Sequence, residues 1–239
     1  MPRRPVPSPS RSARLAHRFA ARLVLRDLRR RFRRVVWVGE PPALPEGVPV
    51  VLYANHHYFH DGYLLWYLAA RRLGRPFALW MEAWDEAPLF APLGALPFPK
   101  EDARRRAATV RRMTREPRTV LLLFPEGVLG VPDAGLAPFR ADLPRLARLL
   151  PPETRWWPVA VHVTWWGEER PTALLTGGPL HDEPDGDEPA RLRALLDRLT
   201  AVRPVALGTS HAYPLLDGGA DPHARWNLTP LAPLFRRWL

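Results

Sequence analysis

Short apolar segments alternate with amphipathic segments along most of the chain, and this alternation restricts the folds open to it. Residues 119–124 (TVLLLF) and 48–54 (VPVVLYA) have the length and branched side chains of strands covered on both faces. Residues 188–201 have the spacing of a helix that covers a sheet. The sequence therefore predicts one α/β domain with a largely parallel central sheet flanked by helices.

The same patterns predict the organisation of the whole chain. Further strands are predicted at 76–81, 156–164 and 173–175, and further helices at 61–73, 102–115 and 139–150. We expect a disordered arm at 1–11, a basic amphipathic helix at 12–34, the α/β domain at 35–201 and an irregular tail at 202–239 that packs on the domain or on a membrane.

Composition excludes several classes of protein. The chain has 239 residues and 46% hydrophobic content, enough for one domain with a substantial core. It has no cysteine, which excludes disulfide scaffolds, thiolate catalysis and cysteine-ligated zinc. No apolar segment reaches the roughly 18 residues of a membrane span.

The positive charge is confined to the N-terminus. The net charge is +11, and residues 1–34 contain twelve arginines and one aspartate, so the remainder of the chain is neutral. In the predicted helix one arc is apolar and arginines recur every four residues on another; the apolar arc consists of Leu15, Ala16, Phe19, Ala20 and Leu23. The pattern favours an anionic membrane surface as partner over a solvated arm, and nucleic acid is not expected.

Two polar segments follow predicted strands directly, where α/β folds hold their ligands. Residues 55–61 read NHHYFHD, and residues 124–127 read FPEG. His56 and Asp61 are too far around a continuous helix to pair, but they meet if His56 lies in the turn before it. Asp61 would then orient one imidazole nitrogen and leave the other free to accept a proton, without a serine or cysteine nucleophile.

These segments resemble the blocks of the glycerolipid acyltransferase family, which includes the lysophosphatidic acid acyltransferases. NHHYFHD is similar to the family's N-H-x-x-x-x-D block, and FPEG, 70 residues beyond His56, is similar to its F-P-E-G block. Residues 94–100 (GALPFPK) resemble the intervening block that ends in a basic residue. Residues 157–161 (WPVAV) resemble the strand that follows. The match in order and spacing covers about residues 48–180.

The resemblance implies a peripheral enzyme at the cytoplasmic, inner face of the cell membrane. It would transfer a fatty acyl group from acyl-CoA or acyl carrier protein to a hydroxyl of a lysophospholipid, with no cofactor or metal. His56 and Asp61 are the implied catalytic residues. Asn55 is expected to fix the turn and is grouped with Glu126 and Gly127 among the substrate-binding residues.

The sequence departs from the family pattern where the acceptor phosphate is bound. The family continues F-P-E-G with an arginine block, whereas this chain has Val128, Leu129 and Gly130. Lys100, together with Arg104, Arg105 or Arg111, is the predicted replacement for the missing cation. The alternative is an acceptor without phosphate, such as a glycolipid, an amino-lipid or another hydroxylated lipid.

Two other classes of function stay open at this point. His56, His57, His60 and Asp61 have helical ligand spacings and could serve a metal-dependent hydrolase. The basic helix could also belong to a non-enzymatic membrane-binding module.

Overall fold

The structure is a computed structural model that describes residues 10–40, 43–82, 84, 86–97, 103–140, 143–208 and 211–219. Its strands are β1 (Arg34–Val38), β2 (Val50–Ala54), β3 (Phe77–Met81), β4 (Ala95–Pro97), β5 (Val120–Leu123), β6 (Arg155–Thr164), β7 (Thr172–Gly177) and β8 (Ala212–Asp217). The helices are α1 (Arg11–Arg31), α2 (Asp61–Trp66), α3 (Ala103–Arg115), α4 (Leu143–Ala147) and α5 (Glu188–Thr200). A π-helical segment, Tyr67–Arg72, continues α2, and 3-10 turns lie at Pro88–Leu93, Pro132–Ala134 and Pro204–Gly208.

Within the described residues the strands form one eight-stranded sheet in the order β4-β3-β5-β2-β6-β7-β1-β8. The first five strands in this order, β4, β3, β5, β2 and β6, are parallel to one another. β7 runs antiparallel to β6, β1 is parallel to β7, and β8 is antiparallel to β1. The predicted single α/β domain with a largely parallel, helix-flanked sheet is confirmed.

Helices cover both faces of the sheet, and β2 is therefore buried along its whole length. On one face, Leu52 packs in a cluster with Leu28 of α1 and Leu64 of α2. On the other face, Tyr53 packs in a cluster with Met113 of α3. The apolar run that predicted a strand covered on both sides therefore lies at the centre of a three-layer domain.

Helix α1 contacts the domain through an arc that shares only Ala20 with the predicted apolar arc. Leu15 and Phe19, predicted on the apolar arc, are 65% and 60% exposed. Residues 11–19 are all exposed, and the buried side chains lie further along the helix, at Ala20, Ala21, Val24 and Leu28. The helix ends at Arg31 rather than at residue 34, because Arg34 begins the buried strand β1.

No helix in the described part of the chain is long and apolar enough to cross a membrane.

The prediction of an irregular tail from residue 202 is wrong at Ala212–Asp217, which form β8. The segment contains Pro214, and proline opposes a central strand because it lacks an amide donor. β8 lies at the edge of the sheet, with a register shift between Val35 and Val36 of its neighbour β1, so the proline is tolerated there. The rest of the predicted tail, 220–239, lies outside the described residues, as do residues 1–9 of the predicted arm.

Candidate active site

Asn55 joins the end of β2 to β6. Its side-chain NH₂ donates to the carbonyl of Val161 at 2.9 Å, and its side-chain oxygen accepts from the Val161 N–H at 2.9 Å. The residue is fully buried. These bonds suit the predicted role in fixing the turn. Both polar groups of the side chain are bonded to the backbone of Val161, and the grouping of Asn55 with the substrate-binding residues stays a prediction.

His56 and Asp61 meet in the geometry that their spacing allows. His56 lies in the turn after β2, and Asp61 is the first residue of α2. Nδ1 of His56 is 3.4 Å from Oδ2 of Asp61, and that oxygen also accepts the backbone N–H groups of His57 and Tyr58 at 2.8 Å. The carboxylate therefore holds both the imidazole and the turn that carries it.

The imidazole of His56 stacks on the ring of Phe124, the first residue after β5. The ring centroids are 4.1 Å apart and the planes are inclined by 15°. β2 and β5 are neighbouring parallel strands, so the residues that follow them lie side by side. Phe124 thus restricts the rotation of His56, a role that sequence reasoning missed because an aromatic at a strand end is common in any core.

Glu126 connects three loops. Its Oε1 accepts the N–H of His56 at 2.9 Å, and its Oε2 accepts the N–H of Ala137 at 2.7 Å. The Nε2 atom of His57 lies 3.8 Å from Oε2. The side chain is fully buried. The hydrogen bond to the N–H of His56 makes Glu126 a support for the loop that carries His56, and its contact with substrate stays a prediction.

The pKa values of the two buried carboxyl groups, Asp61 and Glu126, shift in opposite directions. Desolvation raises the pKa of Asp61 above its usual value, although the hydrogen bonds from His56 and the backbone oppose the change. Its Oδ1 has no hydrogen-bond partner in the described part of the chain. Desolvation also acts to raise the pKa of Glu126, but His57 and the N–H groups of His56 and Ala137 outweigh it and lower the pKa.

An apolar cavity of about 490 Å³ opens beside His56. It lies on the face of the sheet covered by α1 and α2, and Val24 of α1 forms part of its wall. Most of its lining is aliphatic or aromatic, including Trp66, Phe77, Leu79, Trp80, Phe90, Leu93 and Leu122. His56 therefore lies at a predominantly apolar cavity, and tryptophans form part of its wall.

Arg140 contributes a cation to the cavity lining near Gly127. Its backbone N–H donates to the carbonyl of Pro125 at 2.9 Å, and its guanidinium donates to the carbonyl of Gly127 at 3.2 Å. Gly127 has φ +69°, a conformation that favours glycine, and a Cβ there would lie 2.0 Å from Nε of Arg140, so a larger residue would also displace that guanidinium. Sequence reasoning missed Arg140 because it follows a long irregular loop and belongs to no motif.

The other three predicted substrate-binding residues are Gly127, Arg104 and Lys100. Gly127 lines the cavity, as a substrate-binding residue requires. The side chain of Arg104 is exposed on α3 and does not belong to the cavity lining. The role of Arg104 as a substrate-binding cation stays a prediction. Lys100 lies outside the described residues.

The three histidines of the first segment point to separate acidic partners. His56 pairs with Asp61, His57 lies beside Glu126, and His60 pairs with Asp27 of α1. Across the described ranges, no three histidine, aspartate or glutamate side chains are arranged to hold a metal ion. The helical ligand spacing that suggested a metal-dependent hydrolase is therefore not matched by convergent side chains.

Comparisons with known proteins add little to this geometry. No model of a known protein family and no curated protein matches the chain. A solved structure that matches is the 1-acyl-sn-glycerophosphate (LPA) acyltransferase PlsC from Thermotoga maritima, with a TM-score of 0.48 and 18% identity. The match covers 78% of this chain and 76% of that one. A likeness of this degree carries no argument about function, so the conclusion below depends on the residues of the site.

Proposed function

We propose that the protein is an O-acyltransferase that moves a fatty acyl group from acyl-CoA or acyl carrier protein to a hydroxyl of a lysophospholipid or related lipid. One observation carries the proposal: His56, oriented by Asp61 at 3.4 Å, lies at an apolar cavity of about 490 Å³. A general base beside a water-poor, hydrophobic cavity suits a lipid substrate and a hydroxyl nucleophile. The combined N-H-x-x-x-x-D and F-P-E-G blocks support the same chemistry.

The reaction needs no covalent enzyme intermediate. Asp61 holds Nδ1–H of His56, so Nε2 accepts the proton of the acceptor hydroxyl. The oxygen attacks the thioester carbonyl carbon, and the resulting tetrahedral intermediate collapses to the ester as the carbon–sulfur bond breaks. The departing thiolate takes the proton from the imidazolium, which returns His56 to its neutral form.

The cavity provides the site for the fatty acyl chain. Each methylene buried there contributes about 0.8 kcal/mol to binding. Because His56 is part of the cavity lining, a chain that fills the cavity can present its carbonyl end to the imidazole.

Arg140 favours an acceptor that carries a negative charge. The family's arginine after F-P-E-G is absent, but Arg140 places a guanidinium beside Gly127 of the same block. Guanidinium binds phosphate through two parallel N–H groups, which a lysine cannot reproduce. A lysophospholipid is therefore preferred over a neutral glycolipid or other uncharged hydroxylated lipid.

The exposed half of α1 supports a peripheral position at the inner face of the cell membrane. Leu15 and Phe19 are exposed, and Arg11 and Arg18 are exposed on the same segment. Apolar side chains beside arginines suit shallow insertion into an anionic leaflet.

The test is thiol release from palmitoyl-CoA with a panel of lysophospholipids, glycolipids and hydroxylated lipids. Wild type is compared with His56→Gln, and His211→Gln is the matched control because His211 is exposed. We expect release that requires an acceptor and falls by at least a hundredfold in His56→Gln but not in His211→Gln. Palmitoyl carrier protein is tested as donor in parallel.

Arg140→Gln and Arg140→Lys identify the acceptor class. With a lysophosphatidate acceptor, we expect KM to rise about tenfold or more in Arg140→Gln, and a smaller rise in Arg140→Lys. Equal activity of wild type and His56→Gln with every acceptor and both donors would contradict the proposed function.

A further inference from the structure

A second concavity, separate from the apolar cavity, lies on the outer side of α1. It has a volume of about 680 Å³, and its lining is dominated by arginines. The lining consists of Arg22, Leu25, Arg26, Arg29 and Arg30 of α1 with Glu169, Arg170 and Gly218. We call it the arginine groove. Five of the eight lining residues are arginines and one is a glutamate, so the charge of the groove suits an anion.

The groove is built by two separate parts of the chain. Arg170 belongs to the turn between β6 and β7, and its guanidinium donates to the carbonyls of Arg29 at 2.9 Å and Gly218 at 3.0 Å. Those bonds hold one cationic wall in a defined position against the C-terminal half of α1. A row of arginines on an isolated helix would have no such wall.

The location of the groove indicates a lipid as the source of the anion. Two turns earlier on the same helix, Leu15 and Phe19 are exposed apolar residues. The turn that supplies Arg170 also exposes half of Trp165, and tryptophan favours the interface between lipid and water. Apolar groups that enter the acyl region would bring headgroup phosphates to the level of the arginines.

We propose that the arginine groove binds the phosphate headgroup of an anionic phospholipid and thereby fixes the orientation of the enzyme on the membrane. This proposal extends the membrane position stated under the proposed function and depends on it. It differs from a general attraction of basic residues to anionic lipid, because it assigns the effect to arginines that line one concavity.

The experiment compares two double variants with the same change in charge on the same helix. Arg26→Gln/Arg29→Gln alters the groove, whereas Arg11→Gln/Arg18→Gln alters exposed arginines outside it. Flotation measures binding to vesicles of phosphatidylcholine with and without about one third phosphatidylglycerol. Circular dichroism and thermal unfolding check that each variant folds.

General attraction alone gives about fivefold for each arginine, or roughly 25-fold for two, so we expect the groove variant to lose well over 25-fold in binding to the anionic vesicles. The helix control should lose at least fivefold less than the groove variant. Equal losses in the two variants would overturn the proposal that the arginine groove binds a headgroup, since general attraction alone explains equal losses.

A second arm separates a lipid headgroup from a soluble anion. Thermal unfolding is measured with increasing inorganic phosphate, without lipid. Stabilisation at millimolar phosphate that is lost in the groove variant, together with equal vesicle binding by both variants, would overturn the lipid assignment. The His56→Gln protein is included in the vesicle assay, because its binding should equal that of wild type even if acyl transfer is never detected.

Discussion

Nε2 of His60 lies 3.0 Å from a carboxylate oxygen of Asp27, so the N-terminal helix is bonded to the residue that immediately precedes Asp61. Asp27 is the single acidic residue among the first 34. The His60 ring is packed by Phe32, Phe59 and Tyr63, with centroids 5.3 to 5.8 Å away. Helix α1 and the candidate active site are therefore joined through one histidine.

Removing this bond should loosen α1 without unfolding the domain. We expect Asp27→Ala to cost about 1 kcal/mol, since the carboxylate is partly exposed, and to raise the rate of tryptic cleavage within α1 about fivefold. Gel electrophoresis of timed digests measures the rate. Asp197→Ala, on the exposed side of α5, is the control, and equal cleavage of the two variants would contradict the link.

Asp61→Asn should separate activity from stability. The amide oxygen still accepts the N–H groups of the turn, but the lost charge no longer stabilises the imidazolium, so we expect kcat to fall about a thousandfold. Burial raises the pKa of Asp61 in the folded state. Its contribution to stability is therefore complete below the unfolded pKa and is lost as pH rises through the folded pKa.

The pH dependence of the stability of Asp61→Asn tests whether the ionised Asp61 stabilises or destabilises the fold. Urea unfolding at several pH values should show Asp61→Asn at least as stable as wild type near pH 7, with the advantage shrinking as the pH approaches 4. A variant that is less stable than wild type at neutral pH, by a margin that grows with pH, would show that the ionised carboxylate stabilises the fold instead.

Glu126→Gln should damage both the fold and the reaction. Glutamine has one acceptor oxygen, so its NH₂ group must face the N–H of either His56 or Ala137. We expect a loss of about 2–3 kcal/mol in the free energy of unfolding and at least tenfold in kcat/KM. Glu153→Gln, at an exposed position, should change neither quantity.

Gly62 offers a way to shorten the acyl cavity. It lines the cavity, and a Cβ built on it would meet only Leu79, at 3.8 Å. Gly62→Ala should therefore fold and favour α2 by about 0.5–1 kcal/mol. Gly62→Leu should exclude part of a long acyl chain from the cavity. Each methylene that it displaces should weaken binding by about 0.8 kcal/mol and lower kcat/KM about fourfold.

A series of acyl-CoA donors from eight to eighteen carbons measures this effect, each rate expressed relative to Gly62→Ala. Unchanged chain-length preference in Gly62→Leu would mean that the acyl chain lies elsewhere.

The positions of the two site loops follow from sequence because they depend on strand order alone. The NHHYFHD and FPEG segments each follow an apolar strand, and neighbouring parallel strands bring their ends together. The pairing of His56 with Asp61 follows from the same turn. These features depend on residue type and spacing, which the sequence displays directly.

The features that were missed depend on long-range contacts. Arg140 reaches the site from an irregular loop, and β8 forms because an edge position accepts Pro214. Glu126 and Asn55 have the residue types of substrate ligands, and only their backbone partners identify them as supports. The buried arc of α1 is chosen by the domain beneath it, where small residues such as Ala20 and Ala21 allow close approach.

The paired hydrogen bonds between Asn55 and Val161 have a consequence for the motions of the site. The side-chain amide of Asn55 donates and accepts as the backbone of a strand residue does. It therefore continues the hydrogen bonding between β2 and β6 past the last residue of β2. His56 is the next residue. Its fluctuations should therefore resemble those of the central sheet rather than those of a surface loop, and the amide of Val161 should exchange with solvent only when the sheet itself opens.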